Sequence, residues 1–170
     1  MARPTAEQIR ELLKLDPHPI EGGYFTSTYE SSSHIAKEAL PHGYPGPRLV
    51  GTAIYYLLTK DTFSALHRLP GDEIFHFYLG DPVDMLELRP DGTSAVIPLG
   101  QDLAAGMRPQ HVVAGGVWQG SRLRPGGEYA LLGTTMAPGF DYADYQTGAR
   151  DQLIAQYPGQ RERIKALTPD

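Results

Sequence analysis

The chain has 170 residues, 41% hydrophobic and 21% charged, with a net charge of −5 and no cysteine. A chain of this length buries about 70% of its unfolded surface on folding, and it reads as a single domain over 1–170. The missing cysteines exclude disulfides, thiolate zinc sites and a cysteine nucleophile, while the acidic balance without a Lys/Arg-rich block argues against nucleic acid or a membrane surface as partner.

The N-terminal segment predicts a helix. Thr5 is placed to cap it, with Gln8 three residues on as in a capping box. Ile9, Leu12 and Leu13 supply an apolar stripe, and Pro17 and Pro19 end the element. No apolar core or cleavage pattern of a signal peptide is seen here, so a cytoplasmic protein is expected.

Short strand-like runs follow, punctuated by 19 Gly and 15 Pro. Tyr24 to Tyr29 is the first, and the polar segment from Ser33 to Pro47 reads as a loop. Val50 to Leu58, Phe63 to Arg68, Glu73 to Leu79, Val83 to Arg89 and Ser94 to Leu99 come next. Gln110 to Val113, Val117 to Leu123 and Tyr129 to Met136 complete about nine strands at sandwich or barrel spacing. Pro90-Asp91-Gly92 and Gly126-Gly127 read as hairpin turns. Two helices are predicted in the tail, around Leu153 and from Arg161 to Leu167. The layout is a barrel core at about 20–145 flanked by helices at about 5–15 and 149–167. Ile54 to Leu58 and Glu73 to Leu79 are apolar on both faces, so something covers the second face. The terminal helices or a second copy of the chain would do so, and the favoured expectation is a homodimer.

The stretch from Leu66 to Gly80 carries the chemistry. A tight turn at Pro70-Gly71 between two strands is expected to form a hairpin that sets His67 beside Glu73. Alternation places Phe75 and Phe77 on the face of Glu73, and His76 on the other. An imidazole and a carboxyl between phenyl rings read either as a ligand pocket with a polar floor or as an exposed or hydrogen-bonded core pair with no function. They also make an acid–base pair, so His67 and Glu73 are the candidate catalytic residues. Tyr24 and Tyr29 are candidate proton donors if their strand lines the mouth. Glu21-Gly22-Gly23 reads either as a plain turn or as a loop at the ligand's edge, with Glu21 as a polar contact. Trp118 is a stacking wall or core.

The same residues resemble the first motif of the cupin superfamily, G-x5-H-x-H-x3,4-E-x6-G. His67, Glu73 and Gly80 hold their positions, and Leu69 stands where the second His would be. Ala114-Gly115-Gly116-Val117-Trp118-Gln119 is similar to the centre of the second motif, with Gln119 in place of His. Pro17-His18-Pro19-Ile20-Glu21-Gly22-Gly23-Tyr24-Phe25, the run from Asp72 to Pro82, Gly116 to Gln119, and Ala137 to Tyr145 resemble the signatures of one cupin-like family of unknown function. The resemblance implies an all-β jelly-roll barrel with short terminal helices, usually a homodimer, and no established reaction.

On that resemblance the ligand-binding candidates are Gln119, Phe75, Phe77, Tyr24, Glu21 and Trp118. A divalent metal, if bound, would rest on His67, Glu73 and Gln119, a weak set because an amide oxygen is a poorer donor than imidazole. His18 and His111 are not placed by the sequence. The leading expectation is a small-molecule-binding protein, isomerase- or epimerase-like, acting on a sugar-like or carboxylated metabolite. A metal-dependent oxygenase or lyase and a non-catalytic binding module are the alternatives.

Overall fold

The structure, a computed structural model, describes residues 3–41 and 43–169. Helix α1 (Ala6–Leu13) opens with the expected box: the Thr5 hydroxyl accepts the Gln8 N–H, and the Gln8 side chain accepts the Thr5 N–H. Lys14 ends it in the left-handed region. Ile9 is buried, but Leu12 is 77% exposed, so the apolar stripe is narrower than predicted. A two-turn helix seated through Ile9 and Leu13 leaves the position before Leu13 facing outward.

The strands are β1 (Asp16–Pro17), β2 (Tyr24–Glu30), β3 (His34–Ile35), β4 (Arg48–Leu49), β5 (Thr52–Thr59), β6 (Ser64–Arg68) and β7 (Glu73–Gly80). They continue with β8 (Val83–Leu88), β9 (Ser94–Leu99), β10 (Gln110–Val113), β11 (Trp118–Leu123), β12 (Tyr129–Met136) and β13 (Gln146–Thr147). Helices α2 (Arg150–Gln156) and α3 (Arg161–Ala166) close the chain. Each predicted run contains a strand, and among its described residues the segment predicted as a loop carries only the two-residue β3 and a single 3-10 turn at Lys37–Ala39.

Two antiparallel sheets form the body. One has the order β1-β2-β5-β12-β7-β10 and the other β13-β6-β11-β8-β9. Alternation sends Tyr56, Phe75, Phe77 and Leu132 inward from the first, and Val83 and Met85 inward from the second, into one shared core. This is the jelly-roll arrangement expected of the sequence. Outside, α2 and α3 set Leu153, Ile154 and Ile164 on Leu66, Leu86 and Leu88 of the five-stranded sheet. Helix α1 covers Leu57 and Leu131 of the other sheet. The rest of that outer face, including Ile74, His76, Tyr78 and Val112, is not covered by a helix, and Tyr78 and Val112 are 43% and 49% exposed.

One expectation is corrected here. Strands β6 and β7 are not a hairpin. Strand β6 is paired on both sides, by β13 and β11, and β7 by β12 and β10, so neither has a free edge for the other. The turn at Pro70-Gly71 carries the chain from one sheet to the opposite one.

Candidate functional site

The apolar filling of the barrel gives way at one end to Glu21, Ser64, His67, Glu73, Gln119 and Thr134. His67 comes from the five-stranded sheet and Glu73 from the six-stranded sheet, and they line the same cavity. Gln119 sits beside His67 in register and donates its side-chain N–H to Glu73 Oε2 at 2.5 Å, bridging the two sheets.

The Glu21-Gly22-Gly23 segment is stitched along β6. The Glu21 carbonyl accepts the Ala65 N–H at 2.8 Å, and the Tyr56 hydroxyl donates to the Gly22 carbonyl at 2.8 Å. Gly22 has φ +96°, and a Cβ there would sit 2.3 Å from the Phe63 carbonyl oxygen, so only glycine fits. This course turns Glu21 inward, where Ser64 donates to its Oε1 at 2.5 Å. Its Oε2 lies 3.9 Å from His67 Nε2 and 4.0 Å from His18 Nε2.

The two histidines are held in opposite tautomers. His67 Nδ1 is 2.8 Å from the Ala65 carbonyl oxygen, which only accepts, so the ring proton sits on Nδ1. In the neutral ring the lone pair is then on Nε2, on the side of Glu21. His18 Nδ1 instead accepts the Glu21 N–H at 2.9 Å, which leaves the proton on Nε2. Burial lowers the His18 pKa below its ordinary value; the Glu21 charge opposes this and nearby His67 adds to it.

Glu73 is buried, and burial pushes its pKa up to about 7. His67 opposes that rise, Glu21 adds to it, and the hydrogen bonds of Thr134 and Gln119 oppose it. Tyr145 stacks on the His67 ring at 4.8 Å and 15°, and its hydroxyl is buried without a hydrogen-bond partner. Phe140 and Tyr142 close the mouth. Their segment is tied down by the Phe140 N–H on Thr52 Oγ1 at 2.9 Å and by a buried ion pair between Arg48 and Asp144. The cavity is narrow, about 50 Å³, and neither lysine nor arginine lines it.

Of the residues singled out from the sequence, Glu21, His67 and Glu73 line this cavity, with Gln119 behind Glu73. Phe75 and Phe77 fill the barrel core and do not line it. Tyr24 lies on the outer face, packed with α1 under the Arg10 guanidinium, and Tyr29 is 54% exposed, so neither serves the mouth. The β2 register sends the aromatic rings of these two away from the lumen, while Phe25 takes the inward side. Trp118 packs on the cluster beneath the C-terminal helices, with Arg68 over its ring, and is core rather than a ligand wall.

His18, Ser64, Thr134 and Tyr145 were missed by sequence reasoning. His18 and Tyr145 left a signal, the one three residues before Glu21 in the opening signature and the other at the end of the signature from Ala137 to Tyr145. His111 belongs elsewhere: its Nε2 is 2.5 Å from Glu87 Oε1, and Arg89 donates to Glu87 Oε2. Burial raises the Glu87 pKa, but these two partners outweigh it and hold the carboxyl below its usual range. A larger cleft of about 830 Å³ lies outside the barrel against α3, and none of the described histidines lines it.

Several proteins are similar to this chain. A Shewanella oneidensis protein is 31% identical, with 98% of this chain and 99% of that chain covered and a TM-score of 0.85. A hypothetical protein from Leishmania major is 30% identical, with 98% and 100% covered and a TM-score of 0.87. A Bacillus subtilis oxalate decarboxylase shares the fold alone, at 13% identity and a TM-score of 0.53, with 90% of this chain and 37% of that chain covered. No curated protein matches the sequence.

Cupin barrels often hold a metal, and the residues present here do not fit one. Buried Leu69 occupies the position of a second imidazole, and the Gln119 amide spends its N–H on Glu73. His18 keeps its proton on the nitrogen that faces the cavity, so it has no lone pair to offer there. Among the described residues, no group of three or more His, Asp or Glu side chains is arranged to hold an ion. The family model for the cupin superfamily group DUF985 matches residues 7–148, and the chain belongs to that family.

Proposed function

We propose that this protein is a proton-transfer catalyst, isomerase- or epimerase-like, acting on a small polar metabolite, with His67 as base and Glu73 as acid. The observation that carries this is the pairing of a ring nitrogen lone pair at His67 with a carboxyl at Glu73 whose burial keeps its proton until about pH 7, both facing one cavity. His67 Nε2 takes a proton from carbon next to a carbonyl. The C–H electron pair becomes a C=C bond, and the carbonyl oxygen takes the Glu73 proton. Return of a proton to the other face of the same carbon, with the enol O–H proton going back to Glu73, re-forms the carbonyl as the epimer. Where that carbon carries a hydroxyl, loss of the hydroxyl proton and protonation of the former carbonyl carbon instead move the carbonyl by one position. Neither route is a net oxidation. A cavity of about 50 Å³ admits only the reacting end of such a molecule. Sugar-like and carboxylated metabolites of the cytoplasm are the starting classes.

The test is hydrogen exchange in D2O, followed by proton NMR across neutral sugars, sugar phosphates and hydroxy or keto acids. The expected result is loss of one C–H signal on at least one compound, abolished by His67→Ala. Binding without exchange would instead support a non-catalytic module. Exchange that requires stoichiometric iron, manganese, nickel or zinc in the purified protein would support the metal-dependent alternative.

A two-fold homodimer is also proposed. The uncovered outer face at Ile74, Tyr78 and Val112 supports it. Light scattering should give twice the chain mass, and Val112→Lys should reduce it to the monomer.

A further inference from the structure

We infer that the group this cavity takes is an uncharged α-hydroxycarbonyl whose hydroxyl donates to Glu21, and that Glu21 turns carboxylates and phosphates away. The inference deepens the proton-transfer reading, taking from it that His67 and Glu73 face the ligand.

The pattern of donors and acceptors carries it. His67 Nε2 and Glu21 Oε2 face each other at 3.9 Å, beyond hydrogen-bond range. In the neutral state both are acceptors, and no proton lies between them. The Tyr56 hydroxyl lies against Glu21 and Ser64, and its single hydrogen is directed to the Gly22 carbonyl at 2.8 Å. Ser64 is committed to the other Glu21 oxygen. A ligand hydroxyl donating to Glu21 Oε2, with its adjacent C–H toward His67 Nε2, fits between these two acceptors. On the opposite wall the protonated Glu73 carboxyl is a donor that suits a carbonyl oxygen, while the His18 Nε2–H lies on the Glu21 side, 4.0 Å from the same Oε2. One end of the site asks for O–H and the other for C=O, on neighbouring carbons.

Charge sets the second half. The cavity lining contains Glu21 and Glu73 but no lysine or arginine. A carboxylate or phosphate entering beside Glu21 meets a like charge in a partly dehydrated space with no cation to offset it. Arg48 of β4, whose pairing with Asp144 ties down the mouth segment, is already engaged in that buried ion pair.

The experiment compares dihydroxyacetone with glycolate and dihydroxyacetone phosphate by saturation-transfer NMR, at one pH near 6.5. Wild type should bind dihydroxyacetone at least about tenfold more tightly than either anion. Glu21→Gln keeps an acceptor oxygen but removes the charge, so that ratio should fall to about threefold or less. Glu21→Leu removes the acceptor and should lose dihydroxyacetone. Equal binding of glycolate by wild type, absence of dihydroxyacetone binding, or an unchanged ratio in Glu21→Gln overturns the inference. The wild-type comparison needs no variant to fold. Selective binding of dihydroxyacetone without deuterium exchange overturns the catalytic reading and leaves the recognition intact. His67-dependent exchange confined to anionic compounds does the reverse.

Discussion

Replacing Glu73 by glutamine should make the protein more stable, and increasingly so as the pH rises. In the fold Glu73 is buried, accepts an N–H from Gln119, and holds its proton up to about pH 7 against an ordinary value of 4.5, mainly because burial disfavours the charge. Between those two values the folded state binds more protons than the unfolded chain. This group's contribution is therefore complete below pH 4.5 and is lost as the pH rises to about 7. Moving a midpoint from 4.5 to about 7 corresponds to about 3 kcal/mol, at 1.36 kcal/mol per tenfold. Glutamine has the shape of the protonated acid, retains an oxygen for Gln119 and cannot ionise. Urea unfolding of both proteins at pH 4.5, 6 and 8 gives the stability difference at each pH. That difference should grow by about 3 kcal/mol in favour of Glu73→Gln, nearly all of it below pH 7.5. Taking the difference removes the other titrating groups to first order. A flat difference, or one that shrinks with pH, would refute a buried carboxyl that keeps its proton.

The remaining expectations are as specific. Exchange activity should fall about tenfold per pH unit above about pH 7, where Glu73 loses its proton, as read from the alkaline limb of a pH–rate profile. Gly22→Ala forces a side chain onto the Phe63 carbonyl at φ +96°, and should cost more than about 1 kcal/mol by thermal or urea unfolding while weakening ligand binding through displacement of Glu21. Arg48→Met strands Asp144 and should cost about 3–5 kcal/mol, whereas Arg48→Met with Asp144→Leu should recover most of it in a double-mutant cycle. Phe75→Ala, in the middle of the shared core, should cost about 3–5 kcal/mol by urea unfolding.

The strands were legible because each one alternates inward and outward residues or is bounded by glycine and proline. Tyr56 and Phe75 point into the barrel as the period of two requires. The capping box at Thr5 and Gln8 was equally readable, being purely local. What the sequence concealed is pairing. The turn at Pro70-Gly71 has the composition of a hairpin, yet it crosses between sheets, because the partners that fill the edges of β6 and β7 lie far away in the chain. His18 and Tyr145 reach the site through long-range folding of loops, which no period encodes. Tyr24 and Trp118 misled for a related reason. Each is an aromatic beside a glycine-rich or motif segment, but the faces they occupy are decided by α1 and by the C-terminal helices.

His67 and Glu73 stand on opposite walls of the barrel. Their spacing is consequently a property of wall separation, about 10 Å between packed sheets, and not of any hinge or loop. The girth of the rings and aliphatic chains between the walls, Tyr56, Phe77, Met85 and Leu132 among them, acts as the spacer. Trimming that filling by a methylene would alter the reach from nitrogen to carboxyl without touching either group, so the geometry between the two is open to change from the packing that separates the walls.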